Sequence, residues 1–191
     1  AECCLPQRLM ELGLGPDDID TVVLSHMHND HAGCVEFFGK SRLLVHESEF
    51  AACLRAYALG RKMESYIWDD TDNWVRQALN WQLVPADEPD FALAEGIRVL
   101  NLGPGHSYGM LALHVHLPIT GHVLLVSDAI YTSENFGPPE RSPGVLYDSV
   151  GWQRTTARIR RMATELNAQV WFGHDAKQFE RLIKSQDGFY E

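Results

Sequence analysis

The segment from Ser25 to Gly33 concentrates side chains that bind metal ions. It reads SHMHNDHAG and places three imidazoles and one carboxylate within six residues. His26 and His28 are two apart, so in extended backbone their side chains point the same way and can hold one ion. Asp30 and His31 follow, where a turn would direct them to a neighbouring ion. Burying these polar groups together without a cation is costly, so the spacing predicts a metal site.

Three more candidate ligands follow short segments later in the chain. His106 comes after a Gly-Pro-Gly turn, Asp128 follows the apolar run 123–127, and His174 comes two residues after the run 169–172. Strand ends are rigid platforms, and a catalytic metal site needs ligands that are held precisely. Imidazole and carboxylate ligands suit zinc best, although manganese, iron or cobalt would also fit. Seven ligands suffice for two ions if one carboxylate bridges them.

The other histidines are interpreted as structural or surface residues. His46 and His122 are isolated in the sequence, whereas His114 and His116 alternate within a strand and share a face. No carboxylate lies near that pair in the sequence, so packing or surface exposure is the favoured interpretation for both.

Hydrophobic periodicity and turn residues predict a mixed α+β fold, a single domain over residues 1–191 with sheets covered by helices. The predicted helices are Leu5–Leu12, Ser48–Leu59, Val150–Asn167 and Lys177–Lys184. The predicted strands are Thr21–Leu24, Arg42–His46, Ile97–Leu102, Leu111–Leu117, Val123–Ser127 and Gln169–Phe172, the third to fifth forming a meander. The stretch 61–90 is rich in Trp, Tyr and acidic residues and is interpreted as a lid insertion, which forms either an apolar groove or a packed core.

Composition excludes some classes of partner. The chain has 191 residues with a net charge of −10, which repels phosphate backbones and anionic lipid surfaces, and no apolar run is long enough to cross a bilayer. We therefore expect neither nucleic acid nor membrane as a partner, and a homodimer is left open. The four cysteines, at positions 3, 4, 34 and 53, show no CxxC spacing, which favours a reducing cytoplasm.

The His-x-His-x-Asp-His motif, followed by His106, Asp128 and His174, resembles the metallo-β-lactamase superfamily over nearly the whole chain. Within it, SHMHNDHAG, SDAIYTSENF and WFGHD resemble the N-acyl homoserine lactonases. The resemblance implies an αββα sandwich that lacks some N-terminal strands of full-length lactonases, and an enzyme that opens a lactone ring by attack of a metal-bound hydroxide. The implied partner is a small-molecule lactone.

The resemblance also assigns roles to the ligands, as part of a centre with two zinc ions per chain. One ion would take His26, His28 and His106, and the other Asp30, His31 and His174, with Asp128 as the bridge. Tyr131, three residues after Asp128, would point its phenol at the substrate carbonyl, with packing as the alternative role. Asp30 would also pass a proton to the leaving alkoxide.

The metal ligands alone do not fix the substrate, because one superfamily serves several reactions. A 4-pyridoxolactonase or another lactonase, and a glyoxalase II-like thioester hydrolase, share the ligand set. A non-catalytic metal-binding protein is the alternative from a different class.

Overall fold

The computed structural model describes residues 5–61 and 65–191, and the chain divides into two compact units, one ending at Ala86 and the other beginning at Asp87. Each unit has its own sheet and its own hydrophobic core. Cys3 and Cys4 lie outside the described residues.

The first unit contains a three-stranded parallel sheet, in the order β1-β2-β3. Its strands are β1 (Thr21–Val23), β2 (Arg42–His46) and β3 (Trp81–Val84), and its helices are α1 (Leu5–Glu11), α2 (Asn29–Ala32), α3 (Glu47–Ala58) and α4 (Trp68–Gln77). Single turns of 3₁₀ helix cover Pro16–Asp18 and Val35–Phe37. The central strand β2 is buried from Leu43 to His46, as expected for a parallel strand with neighbours on both sides.

Helix α4 and strand β3 were not predicted as elements. The acidic sequence WDDTDNWVRQ of α4 has a narrow buried stripe that hydrophobicity does not mark. Thr71 and Trp74, three residues apart, are its buried positions. Strand β3 pairs with β2, and Trp81 packs against the core of the unit. A lid role for the stretch 61–90 stays a prediction, as does the single-domain interpretation; residues 62–64 of that stretch lie outside the described residues.

The second unit contains a five-stranded sheet whose spatial order follows the chain, from β4 to β8. The strands are β4 (Phe91–Ala94), β5 (Ile97–Gly103), β6 (Met110–Leu117), β7 (Gly121–Ser127) and β8 (Gln169–Phe172). The helices are α5 (Ser133–Phe136), α6 (Ser149–Leu166) and α7 (Ala176–Arg181). Neighbouring strands from β4 to β7 are antiparallel, which confirms the predicted meander, and β8 runs parallel to β7.

Helix α6 is the connection between β7 and β8 and closes the core of the second unit. It begins after Asp148, whose side chain accepts a hydrogen bond from the Val150 N–H at 3.0 Å, and it ends at Asn167 in the left-handed conformation. Ile159 is fully buried against the sheet residues Leu124 and Val126.

The predicted elements are otherwise found within one or two residues of their expected ends, except that α7 stops three residues before the predicted end of the last helix. In the described ranges, Cys34 and Cys53 are free thiols. Within those ranges, no helix combines the length and the apolar character needed to cross a bilayer.

Replacing Ile159 by Ala should lower the free energy of unfolding by about 2–5 kcal/mol, because the deletion leaves a cavity in a packed core. Val150→Ala is the matched control, since that side chain lies on the same helix but is exposed; its effect should stay within about 0.5 kcal/mol. Urea denaturation of both variants measures the difference. Equal midpoints would contradict the assigned role of α6.

Candidate metal centre

In the first unit the candidate ligands begin where β1 leaves the sheet. The Leu24 N–H still donates to the Leu44 carbonyl at 2.9 Å, and the chain then turns away through Ser25. His26 is fully buried, and the Ser25 hydroxyl lies 3.1 Å from its Nδ1. His28 occupies the N-cap position of α2, so Asp30 falls in the first turn of that helix. A strand end followed at once by a helix turn thus positions all four ligands of this unit.

The imidazole of His26 is in contact with the other two imidazoles of this segment. The ring centroid of His26 lies 4.4 Å from that of His28 and 4.3 Å from that of His31. Asp30 Oδ2 is 3.5 Å from His31 Nε2, and the Asp30 side chain is 52% exposed. This first half-site therefore combines a buried imidazole with a carboxylate that solvent can reach.

A buried carboxylate from α3 holds this segment in place. Glu49 is 0% exposed, and its Oε1 accepts hydrogen bonds of 2.9 Å from the Met27 backbone N–H and from the Tyr66 hydroxyl. The Tyr66 ring in turn packs 5.4 Å from the His28 ring. Glu49 thus fixes the backbone between His26 and His28 and orients a ring beside the second of them.

In the second unit Asp128 follows β7 directly. Ser127, the last residue of that strand, has a φ of +48°, the left-handed conformation that is unusual for a residue with a side chain. Residues kept in this region cluster at functional sites, where the surrounding structure holds them. Asp128 itself is buried.

The segment after β8 passes so close to Asp128 that only glycine fits there. A Cβ atom at Gly173 would overlap Asp128 Oδ1 and would lie 2.8 Å from the Ser127 carbonyl carbon. The next residue, His174, donates its backbone N–H to the Tyr131 carbonyl at 2.9 Å, and its Nε2 lies 3.1 Å from Asp128 Oδ1.

Asp175 stabilises the segment that carries His174. Its carboxylate accepts a hydrogen bond from the Ser133 N–H at 2.8 Å and from the Gln178 N–H at 2.9 Å, where it caps α7. These backbone donors, Ser133 first, hold the pKa of the carboxyl below its usual range. The loops that carry Tyr131 and His174 are therefore tied together by a charged hydrogen-bond acceptor.

The two ring nitrogens of His106 have different neighbours, which indicate which of them carries the proton. Nδ1 lies 3.2 Å from the Val145 carbonyl oxygen, and Nε2 lies 3.6 Å from Asp128 Oδ2. Because a carbonyl oxygen can only accept, we assign the proton to Nδ1, which leaves the lone pair on Nε2. That tautomer leaves an unprotonated nitrogen, the form that a metal ion needs, on the side of Asp128.

Tyr131 lies between the two imidazoles of the second unit. Its ring centroid is 5.1 Å from that of His106 and 5.3 Å from that of His174, both edge to face, and its hydroxyl is 3.0 Å from His106 Nδ1. With the proton on Nδ1, the phenol oxygen of Tyr131 accepts a hydrogen bond from His106. The hydroxyl hydrogen of Tyr131 can then be donated to another acceptor.

The structure thus brings the predicted ligands together in two groups. His26, His28, Asp30 and His31 form the first half-site, and His106, Asp128 and His174, with Tyr131, form the second. His46 is structural, as predicted: its Nδ1 accepts from the Ser48 N–H at the start of α3, and burial lowers the pKa of its ring. The supporting residues Glu49, Gly173 and Asp175 were not predicted, since their roles depend on contacts between distant segments.

Comparison with known proteins gives consistent matches. A family model described as the metallo-beta-lactamase superfamily matches residues 3–174. The N-acyl homoserine lactonase AiiB of Agrobacterium fabrum is 55% identical over 191 residues, which is all of this chain and 69% of that protein. AiiB of Rhizobium rhizogenes shows the same identity and coverage.

Solved structures agree with the sequence matches. A variant of AiiA from B. thuringiensis, with N-decanoyl-L-homoserine bound at the active site, has a TM-score of 0.81 at 27% identity, covering 98% of this chain and 67% of that one. An N-acyl homoserine lactone hydrolase with its product, N-hexanoyl-L-homoserine, bound at the catalytic metal center matches with the same values. The α+β class and the fold that the motifs predicted are confirmed, and the chain belongs to the metallo-β-lactamase superfamily.

Proposed function

We propose that this chain hydrolyses the ester ring of N-acyl homoserine lactones, which would make it a quorum-quenching lactonase. The observation that carries the proposal is the placement of the Tyr131 phenol between His106 and His174, beside Asp128. It occurs in a chain that is 55% identical, over its whole length, to two proteins named N-acyl homoserine lactonase.

The donor set of the two half-sites fits zinc. Together they offer five imidazoles and two carboxylates, and a catalytic zinc ion usually takes three protein ligands of these types. Neither half-site alone has enough donors for two ions. We therefore propose that the half-sites act jointly and hold two Zn²⁺ ions, with Mn, Fe or Co as substitutes: one at His26, His28 and His106, the other at Asp30, His31 and His174, with Asp128 bridging them.

When bound, such a pair of ions lowers the pKa of a water molecule and polarises a carbonyl oxygen. The chain's own residues then orient the lactone and move protons. Tyr131 donates its hydroxyl hydrogen toward the ester carbonyl oxygen, which becomes more negative as the carbonyl carbon turns tetrahedral. We propose that Asp30 exchanges a proton with the substrate, and its exposure in the first turn of α2 supports exchange with solvent.

The reaction balances with water as the only co-reactant. The water oxygen bonds to the carbonyl carbon, the ester C–O bond of the ring breaks, and the ring oxygen leaves as an alkoxide. Asp30 takes up one proton of the attacking water and passes it to this alkoxide, which becomes the hydroxyl of the homoserine product, and the second proton of the water is released to solvent as the new carboxylate ionises. The acyl-amide bond is left intact, so the product is an N-acyl homoserine carboxylate.

A reducing compartment is the setting that we propose for this activity. Cys34 and Cys53 are both thiols, and thiols persist in the cytoplasm. A freely diffusing lactone would reach the enzyme there.

Purified chain loaded with zinc should open N-hexanoyl and N-decanoyl homoserine lactones, and a chelator should abolish the activity. A pH indicator follows the proton that each ring opening releases. The panel includes 4-pyridoxolactone and a glutathione thioester, which should react far more slowly. Protein that holds two metal ions per chain yet opens no homoserine lactone would overturn the proposal, and preferential cleavage of either comparison substrate would reassign it.

Asp128→Asn should lose metal and activity together, because the amide has neither the charge nor the second anionic oxygen of a bridging carboxylate. We expect metal affinity to fall by at least about 10–100-fold, the range seen when even a supporting residue is removed. Metal analysis after dialysis and kcat/KM measure the two losses. Asp87→Asn is the control for a surface carboxylate, and full metal content in Asp128→Asn would contradict the assigned bridge.

Tyr131→Phe should keep its metal and lose catalysis. One hydrogen bond to a developing negative charge is worth about 1.5–3 kcal/mol, so kcat should fall roughly 10–100-fold with zinc content unchanged. Tyr57→Phe is the matched control, because that phenol donates to Asp72 within the first unit. A kcat equal to that of the parent protein would leave Tyr131 with a packing role only.

A further inference from the structure

A second cluster of imidazoles lies on the sheet of the second unit and shares no residue with the half-sites. His114 and His116 are two residues apart on β6, so their side chains share a face of the sheet. His122 on β7 pairs directly with His116 across the strands. The lactonase proposal uses none of these three side chains.

Two of the rings already point nitrogens at each other. His114 Nε2 lies 2.9 Å from His122 Nδ1, and the two ring centroids are 5.0 Å apart. Two nitrogens bound to one tetrahedral zinc ion, at Zn–N distances of about 2.0–2.1 Å, are roughly 3.3 Å apart. At 2.9 Å the two nitrogens share a hydrogen bond, so an ion would take the place of that proton and the nitrogens would move apart by a few tenths of an ångström.

The third ring is stacked on the second. The His116 and His122 centroids are 4.1 Å apart with an interplanar angle of 15°. His116 is exposed, whereas His114 and His122 are half-buried, so an ion can enter from solvent. Rotation of the His116 ring off the stack would supply a third nitrogen.

The protonation state favours ligation. Burial lowers the pKa of His114, and His122, His116 and Arg98 lower it further by charge repulsion. Arg98 on β5 is the strand partner of His114. A neutral imidazole is the form that binds metal, so ion binding at neutral pH does not have to displace a proton from a charged His114 ring.

We infer that His114, His116 and His122 form an additional site for a divalent transition metal of the zinc, copper and nickel class. The donor set consists of imidazoles alone, which suits these ions and not Mg²⁺ or Ca²⁺, since those prefer oxygen. The guanidinium of Arg98 opposes the ion's charge, so the site should bind more weakly than one that includes carboxylates.

Cu²⁺ is the probe, because its electron paramagnetic resonance spectrum reports the number of bound nitrogens. One equivalent is added to the full chain after it has been loaded with zinc and dialysed to two zinc ions per chain, and it should give a signal with three nitrogen couplings. His114→Gln and His122→Gln should each weaken Cu²⁺ binding at least tenfold, and His116→Gln should remove one coupling. Arg98→Gln should tighten binding, and excess Mg²⁺ should not compete.

Retention of the two tightly bound zinc ions after dialysis, together with lactone opening, serves as the folding control and should be unchanged in all four variants, because none of these residues belongs to the half-sites. A Cu²⁺ signal that persists in the double variant His114→Gln/His122→Gln would overturn the site. An unchanged nitrogen count in His116→Gln would overturn the three-ligand assignment. Both results are independent of whether the chain proves to be a lactonase.

Discussion

The close passage of Gly173 beside the Asp128 carboxylate is the constraint on which the second half-site depends. Because Gly173 has no Cβ atom, the segment after β8 can lie against the end of β7. His174 Nε2 then comes within 3.1–3.2 Å of both carboxylate oxygens of Asp128. The left-handed Ser127 turns the chain at the same point. Asp175 then helps to offset the cost of this conformation by accepting backbone hydrogen bonds from Ser133 and, at the start of its own helix α7, from Gln178.

The candidate ligands of the first half-site are held in position by a different set of contacts. Its ligands lie on one continuous segment, so no second backbone has to approach them. Instead, a fully buried carboxylate on α3 accepts the Met27 N–H between the first two imidazoles. An unpaired carboxylate would be costly at 0% exposure, and the Tyr66 hydroxyl lowers that cost as it orients its own ring beside His28. Glu49 and Tyr66 thus hold the backbone and one ring of a segment that lies outside the sheet.

Much of the fold and of the candidate site could be predicted from the sequence. The features that could not be predicted have one physical reason in common. Ligands at strand ends were identifiable because short apolar runs locate the strands, and the residue after each run is then fixed. Helix α4 was missed because its buried stripe includes Thr71, which no hydrophobicity pattern marks. Glu49 and Gly173 have roles set by segments 22 or more residues away in the chain, and local spacing carries no information about such contacts.

The two kinds of histidine cluster differ in the charged groups that surround them. The imidazoles at the half-sites are accompanied by carboxylates, Asp30 in one and Asp128 in the other. The cluster on β6 and β7 has the guanidinium of Arg98 as the charged group acting on His114. A dication gains Coulomb energy in the first setting and loses it in the second, although the ligand atoms are the same. We therefore expect charge close to the imidazoles, more than their number, to separate the proposed two-ion centre from the weaker site proposed on β6 and β7.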